Sequence, residues 1–226
     1  MVHPLDRPVW STLSTRQRAL ALGDARALRF EPRYNVFGAA ADGSPENLAA
    51  LADLIPADGT LWVVEAQPFT PPPGVVVVKA AVCAQMVAEA PKPCDPVFAY
   101  EDLTEADAPQ MLALATLTEP GPFLEATHRL GAFVGIKQDG RLVAMAGERM
   151  RPDGFTEVSG VCTHPDYRGR GYAGRLMQVV AGRITARGET PFLHSYASNL
   201  GAIGLYESLG FAIRREVTAT VLAKAL

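Results

Sequence analysis

Between Glu157 and Ala173 the chain reads EVSGVCTHPDYRGRGYA, and this stretch narrows the fold more than any other. Val158, Val161 and Thr163 favour extended backbone, so Thr156–Thr163 is expected to be a strand, with Gly160 in its middle. A glycine inside a strand marks a bulge or a close approach by another backbone or a ligand. His164-Pro165-Asp166 then turns the chain. Beyond Arg168-Gly169-Arg170-Gly171-Tyr172-Ala173, Leu176, Val179, Val180 and Ile184 recur at helical spacing. A strand, a glycine-rich turn and a helix start together form an anion site. The first helical N–H groups have no partner within the helix and lie at the positive end of its dipole. Gly169 and Gly171 keep side chains out of the way of a phosphate. The pattern points to a pyrophosphate.

Two kinds of pyrophosphate loop share these letters. Gly169-x-Gly171-x-x-Gly174 matches the dinucleotide fingerprint, which would make the protein an NAD(P)-dependent oxidoreductase. That fingerprint follows its strand at once and needs an acid at the end of the next strand. Here HPDYR intervenes, and Glu189 falls before the next expected strand. Read instead as Arg168-x-x-Gly171-x-Ala173, the turn resembles the R/Q-x-x-G-x-G/A loop of the GNAT superfamily of N-acetyltransferases. The preceding V-x-T-H-P and the downstream Asn199, Leu205-Tyr206 and Leu209-Gly210-Phe211 fit that family in order and spacing.

The remaining composition bounds the setting. The chain has 226 residues and a net charge of −3, with scattered lysines and arginines, which does not fit a nucleic-acid-binding protein. Cys83, Cys94 and Cys162 have neither disulfide-framework nor zinc spacing. The first residues lack an apolar signal core, and no run approaches a membrane span. The expectation is a cytoplasmic protein without a metal or a membrane partner.

Residues 1–95 carry no catalytic signature. A helix is expected from Ser14 through Leu22, and a second after the cap Ser44 with Pro45 at its first position, ending at Pro56. Strands are expected at Thr60–Ala66, Val75–Lys79 and Ala81–Val87. Pro91, Pro93 and Pro96 make a stiff connector, where the boundary between an N-terminal α/β lobe (1–95) and the main domain (96–226) is placed. The lobe resembles, weakly, the degenerate half of two-lobed GNAT proteins such as glycine N-acyltransferases. Equally, it can be an added lobe that only buries a face of the main domain. After the connector the expected order is a strand at Val97–Tyr100, a helix from Thr104 or Asp107 through Leu117, and a short helix at Leu124–Leu130. Strands at Ala132–Ile136 and Leu142–Met150 then flank the hairpin turn Gln138-Asp139-Gly140. Phe192–Tyr196, Leu200–Leu209 and Phe211–Leu222 follow as strand, helix and strand. The fold class is therefore α/β (α+β): a mixed, mostly antiparallel sheet flanked by helices, with a smaller N-terminal α/β lobe.

The resemblance also implies a site. The strand at Thr156–Thr163 should splay from the one at Phe192–Tyr196, and the pantetheine arm of acetyl-CoA should lie along Val161, Cys162 and Thr163. The pyrophosphate should rest on the amides of Gly169, Arg170, Gly171, Tyr172, Ala173 and Gly174, with Arg168 and Arg170 nearby. Asn199 is implied as a helix cap and pantetheine contact, and Tyr206 as the proton donor to the departing thiolate. Glu157 is the expected general base, with Glu148 as its rival; either is equally readable as a solvated carboxylate. His164 is read as a turn residue, and His194 as a core residue or a substrate contact. Cys162 is read as a small hydrophobe rather than a nucleophile. The function implied is acetyl transfer to a primary amine of a small molecule, peptide or protein, by a monomer or homodimer. The alternatives are a CoA-binding module without turnover and the oxidoreductase.

Overall fold

The computed structural model describes residues 3–95 and 97–225. Pro96, the last connector proline, lies outside the described residues. Eight strands form one sheet in the order β4-β11-β5-β10-β9-β8-β7-β6. They are β4 (Leu61–Glu65), β5 (Val75–Val87), β6 (Glu101–Leu103), β7 (Phe133–Gln138), β8 (Arg141–Glu148), β9 (Phe155–Thr163), β10 (Thr190–Tyr196) and β11 (Ala212–Lys224). Every neighbouring pair is antiparallel except β9–β10. The sheet is thus mixed and mostly antiparallel, as the sequence suggests.

A smaller layer precedes it. Strands β1 (Ala21–Gly23), β2 (Ala27–Phe30) and β3 (Gly38–Ala40) pair antiparallel, accompanied by α1 (Pro8–Ser14) and α2 (Pro45–Asp53). Ser44 and Pro45 start α2 as expected. The first helix is displaced, because Pro8 starts α1 at its first turn and Thr15 ends it. Gln17, expected within a helix, turns its amide inward to the carbonyls of Leu130 and Arg149.

The boundary expected at the proline connector does not divide the sheet. β5 is one strand of thirteen residues, not two, and it stands between β11 and β10. β4 pairs with β11. Two strands from before the connector are therefore built into the same sheet as the strands after it. The three-stranded layer with α1 and α2 is a second sheet, joined to the large one where Phe37 bridges Trp62 of β4. No strand forms at 97–100; the chain pairs at β6 instead. The helix expected at Leu124–Leu130 is reduced to a 3-10 turn, Thr127–Arg129. Thr127 Oγ1 donates to the Tyr34 carbonyl at 2.7 Å and ties that turn to the N-terminal layer.

Helices α3 (Ala108–Thr118), α4 (Tyr172–Ala186) and α5 (Leu200–Ser208) complete the chain. The apolar stripe of α4, Leu176, Met177, Val180, Ala181 and Ile184, is buried against Val143, Ala144, Ala146 and Val158 of β8 and β9. Each fully buried side chain of this size is worth about 1.5–3 kcal/mol. That packing fixes the start of α4 beside the end of β9.

Candidate active site

Two cavities meet at one wall. The first, about 510 Å³, is lined by Val161–Thr163, by the loop Tyr167–Gly171, by Tyr172–Gly174 at the start of α4, and by Leu205 and Tyr206. The second, about 370 Å³, reaches from the loop 118–122 across β10 to Phe37, Trp62 and Val64 of the N-terminal region. Thr118, Val161 and Tyr206 line both.

The wall opens because β9 and β10 separate. They pair in parallel only from Phe155↔Thr190 to Glu157↔Phe192. Beyond that point β9 keeps β8 alone, so Val161 and Thr163 present a free edge towards the first cavity. Thr163 Oγ1 is enclosed and has no hydrogen-bond partner among the described residues. Its register against β8 shifts between Met145 and Gly147, opposite Gly160, whose φ is +63°. A Cβ there would stand 2.9 Å from Phe133 and would also be strained by that φ. The bulge expected at Gly160 is present.

Gly171, the N-cap of α4, has φ +74°, and a Cβ built on it would meet no protein atom within 4 Å. The same holds at Gly169, with φ +77°. At both glycines the loop is therefore not packed against protein, and it lines the first cavity at the start of α4, where the first helical N–H groups have no partner within the helix. Arg168 and Arg170 are exposed beside it, and Arg170 stacks over Tyr167 at 4.9 Å. Cys162 is buried, and burial pushes its thiol up to about 11, which makes it a poor nucleophile.

Asn199 caps α5, its Oδ1 accepting from the Ala202 N–H at 3.2 Å. It lines the second cavity and not the first. Seven residues on, Tyr206 stands half-buried at the common wall. Burial raises its pKa, which keeps the phenol protonated at neutral pH.

The structure corrects the expectation for Glu157. It is fully buried and lines neither cavity. Arg149 grips it with Nε at 2.8 Å and Nη2 at 2.9 Å, and His194 Nδ1 lies 2.8 Å from Oε1. Burial alone would raise this carboxyl, but the Arg149 charge and the bonds from Arg149 and His194 outweigh it and hold it at about 2. Such a group cannot take a proton from an amine near neutral pH. Glu148 fares no better: it is buried and paired to Arg187 at 2.8 Å. His164 closes its turn, with Nδ1 accepting from the Asp166 N–H.

His194 reaches the wall of the second cavity, yet both its nitrogens are engaged. Gln85 Oε1 accepts from Arg214, so its Nε2 is the donor, one hydrogen to the Leu5 carbonyl and the other to His194 Nε2. That leaves the His194 Nδ1–H to Glu157. Arg214 continues the chain to Asp6, so a polar network runs from the N-terminal layer to Arg149.

Several residues of the second cavity carry no motif: Phe37, Trp62, Cys83, Arg149 and Ala219 come from five separate elements or loops. Arg149 alone left a signal. It and Glu157 flank the turn Arg151–Gly154, and their backbones pair across it at 3.1 Å. Glu119 is the only acid among the described residues lining this cavity. It follows α3 in the left-handed conformation, φ 49°, and its exposed carboxylate has no partner among the described residues. No group of His, Cys, Asp or Glu suited to a metal occurs among the described residues, nor any helix long and apolar enough to cross a membrane.

Comparison with known proteins agrees with this architecture. Residues 133–220 match the family model described as FR47-like protein. A GNAT-family structure from Novosphingobium aromaticivorans DSM 12444 superposes with a TM-score of 0.93 at 50% identity, with 100% of both chains covered. A GCN5-related N-acetyltransferase from Kribbella flavida shares the fold at 18% identity, with a TM-score of 0.63 and 96% of each chain covered. A GCN5-related N-acetyltransferase-like protein from Streptococcus suis 89/1591 does so at 15% identity and a TM-score of 0.60, with 96% of this chain and 92% of that one covered. No curated protein matches the chain. Half of its residues shared over the full length with a member, together with the splayed β9–β10 pair and the open loop before α4, place the chain in the GNAT family of acetyltransferases.

Proposed function

We propose that the protein transfers an acetyl group from acetyl-CoA to a primary amine by direct attack within a ternary complex. The observation that carries this reading is the position of Tyr206, a protonated phenol on the wall common to two cavities. The first cavity has the parts a CoA needs. The free edge at Val161–Thr163 offers backbone groups to an amide-bearing arm. The amides from Gly169 to Gly174 face an open cradle for two phosphates, and Arg168 and Arg170 add positive charge beside it. Acetyl-CoA supplies an activated acyl group, whose C–S bond breaks as the C–N bond forms.

The chain's residues then handle two protons. Tyr206 gives its phenolic proton to the leaving sulfur, which general acid catalysis makes worth about 10²–10⁴-fold. The attacking amine must lose a proton, and Glu119 and the solvent at the cavity mouth are the acceptors open to it. Asn199 holds the start of α5 and thereby the register of Tyr206. A binding module without turnover has no use for a second cavity at this wall, which favours catalysis. The acceptor is a small molecule or a peptide that reaches the wall through that cavity.

A thiol-release assay pairing acetyl-CoA and longer acyl-CoAs with amines, amino acids, polyamines and peptides tests the reading. Amine-dependent release of CoA is expected. Tight CoA binding with no release above hydrolysis for any amine would make the protein a binding module instead.

A further inference from the structure

The second cavity has a polarity that a primary amine alone does not explain. Arg149 lines it, only about a tenth exposed at the side chain. Its Nε and Nη2 are spent on Glu157, and its guanidinium lies over the Phe37 ring at 4.9 Å. Nη1 has no hydrogen bond to any described residue and is not among the fully enclosed unpaired atoms, so it keeps some exposure on a residue of the cavity wall. A guanidinium donor without a protein acceptor in this wall is left for an acceptor on the ligand. The adjoining wall is apolar: Phe37 and Trp62 pack edge to face at 6.2 Å, with Val64, Cys83 and Ala219 beside them. At the other side, Thr118 belongs to the wall shared with the first cavity, and Glu119 follows it directly.

We infer that the acceptor is a free α-amino acid with an apolar or aromatic side chain. Its amine meets the thioester at the Thr118–Tyr206 wall, where Glu119 attracts the ammonium form. Its carboxylate accepts from Arg149 Nη1, a charge-assisted bond stronger than a neutral one. Its side chain lies on Phe37 and Trp62. A cavity of about 370 Å³ is at the small end for ligand sites, which suits one amino acid better than a folded protein segment.

This inference rests on the acetyltransfer reading, and a substrate series separates the two. With acetyl-CoA saturating, thiol release is measured for L-phenylalanine, L-phenylalanine amide, 2-phenylethylamine and a phenylalanine-initiated dipeptide. The amino acid is expected to exceed the other three in kcat/KM by about 10–100-fold, the range of a hydrogen bond to a charged group. Arg149→Lys keeps a charge towards Glu157 but loses the third nitrogen. It is expected to bring the ratio of amino acid to 2-phenylethylamine towards one, a ratio independent of how much of the variant is folded. Equal or better turnover of the amide, the amine or the dipeptide would overturn the carboxylate assignment and leave acetyltransfer standing. Turnover only of amines unlike all four would do the same. Failure of every amine would overturn both.

Discussion

The two cavities that meet at Tyr206 are made in opposite ways. The first is lined mainly by one stretch, 161–174, whose glycines leave the backbone uncovered. The second is assembled from side chains that lie as far apart in sequence as Phe37 and Ala219. A backbone cradle needs only local geometry, so it recurs wherever the same few residues recur. A side-chain cavity needs the whole sheet in register, so it can change its ligand without disturbing the cradle.

The largest expected effect lies under the second cavity. Glu157→Leu leaves Arg149 buried without its partner, a loss of about 3–5 kcal/mol. Pairing it with Arg149→Met is expected to recover part of that, since the buried charge is gone while the His194 Nδ1–H still lacks its acceptor. Urea unfolding of the three variants measures both. An unchanged midpoint for Glu157→Leu would mean that the pair is not what closes the cavity floor. The same pair predicts an acid limb. The Glu157 carboxyl sits below its unfolded value, so its stabilisation is complete above about 4.5 and is lost as pH falls towards 2. Unfolding followed across that window should be shallower in the double variant than in the wild type.

Next comes the shared wall. Tyr206→Phe keeps the ring and removes only the proton donor, so turnover should fall by about 10²-fold while the unfolding midpoint and CoA affinity hold. Full activity would make Tyr206 a packing residue and leave the two cavities without a catalytic junction.

Glu119 should give the smallest change. Glu119→Gln is expected to lower kcat/KM by up to about fivefold, the worth of an exposed charge contact. Recovery as pH rises and free amine accumulates is the mark of lost proton transfer. A uniform loss at every pH would instead mark a contact that does not depend on the amine's proton.

The same contrast explains what was legible in the letters. The bulge at Gly160, the cap at Gly171 and the stripe of α4 are local features, and each lies where its residue types demand. β5 was less legible. Nothing in VVVVKAAVCAQMV says that it inserts between β11 and β10, because that register is set by partners more than a hundred residues away. Hence the proline connector reads as a domain boundary, although strands from both sides of it share one sheet. Glu157 misled for a related reason. Its place on β9 follows from the local sequence, but its surroundings depend on Arg149, just after β8, and His194 from β10. A carboxylate is a base or a buried ion according to what faces it, and that is a tertiary fact. The displaced first helix has a local cause that the sequence did show: Pro8 fits a first helical position.

The central claim is that the open loop before α4 holds the pyrophosphate of CoA, and calorimetric titration of CoA into wild type and Gly171→Val tests it most directly. A Cβ added at Gly171 meets no protein atom within 4 Å. The positive φ costs about 1–2 kcal/mol, and the variant is expected to remain folded by circular dichroism. Wild type is expected to bind CoA, and the variant to bind it at least about tenfold more weakly, as 1.4 kcal/mol of lost phosphate contact requires. Equal affinity in a folded variant, or no heat from the wild type, would contradict the account.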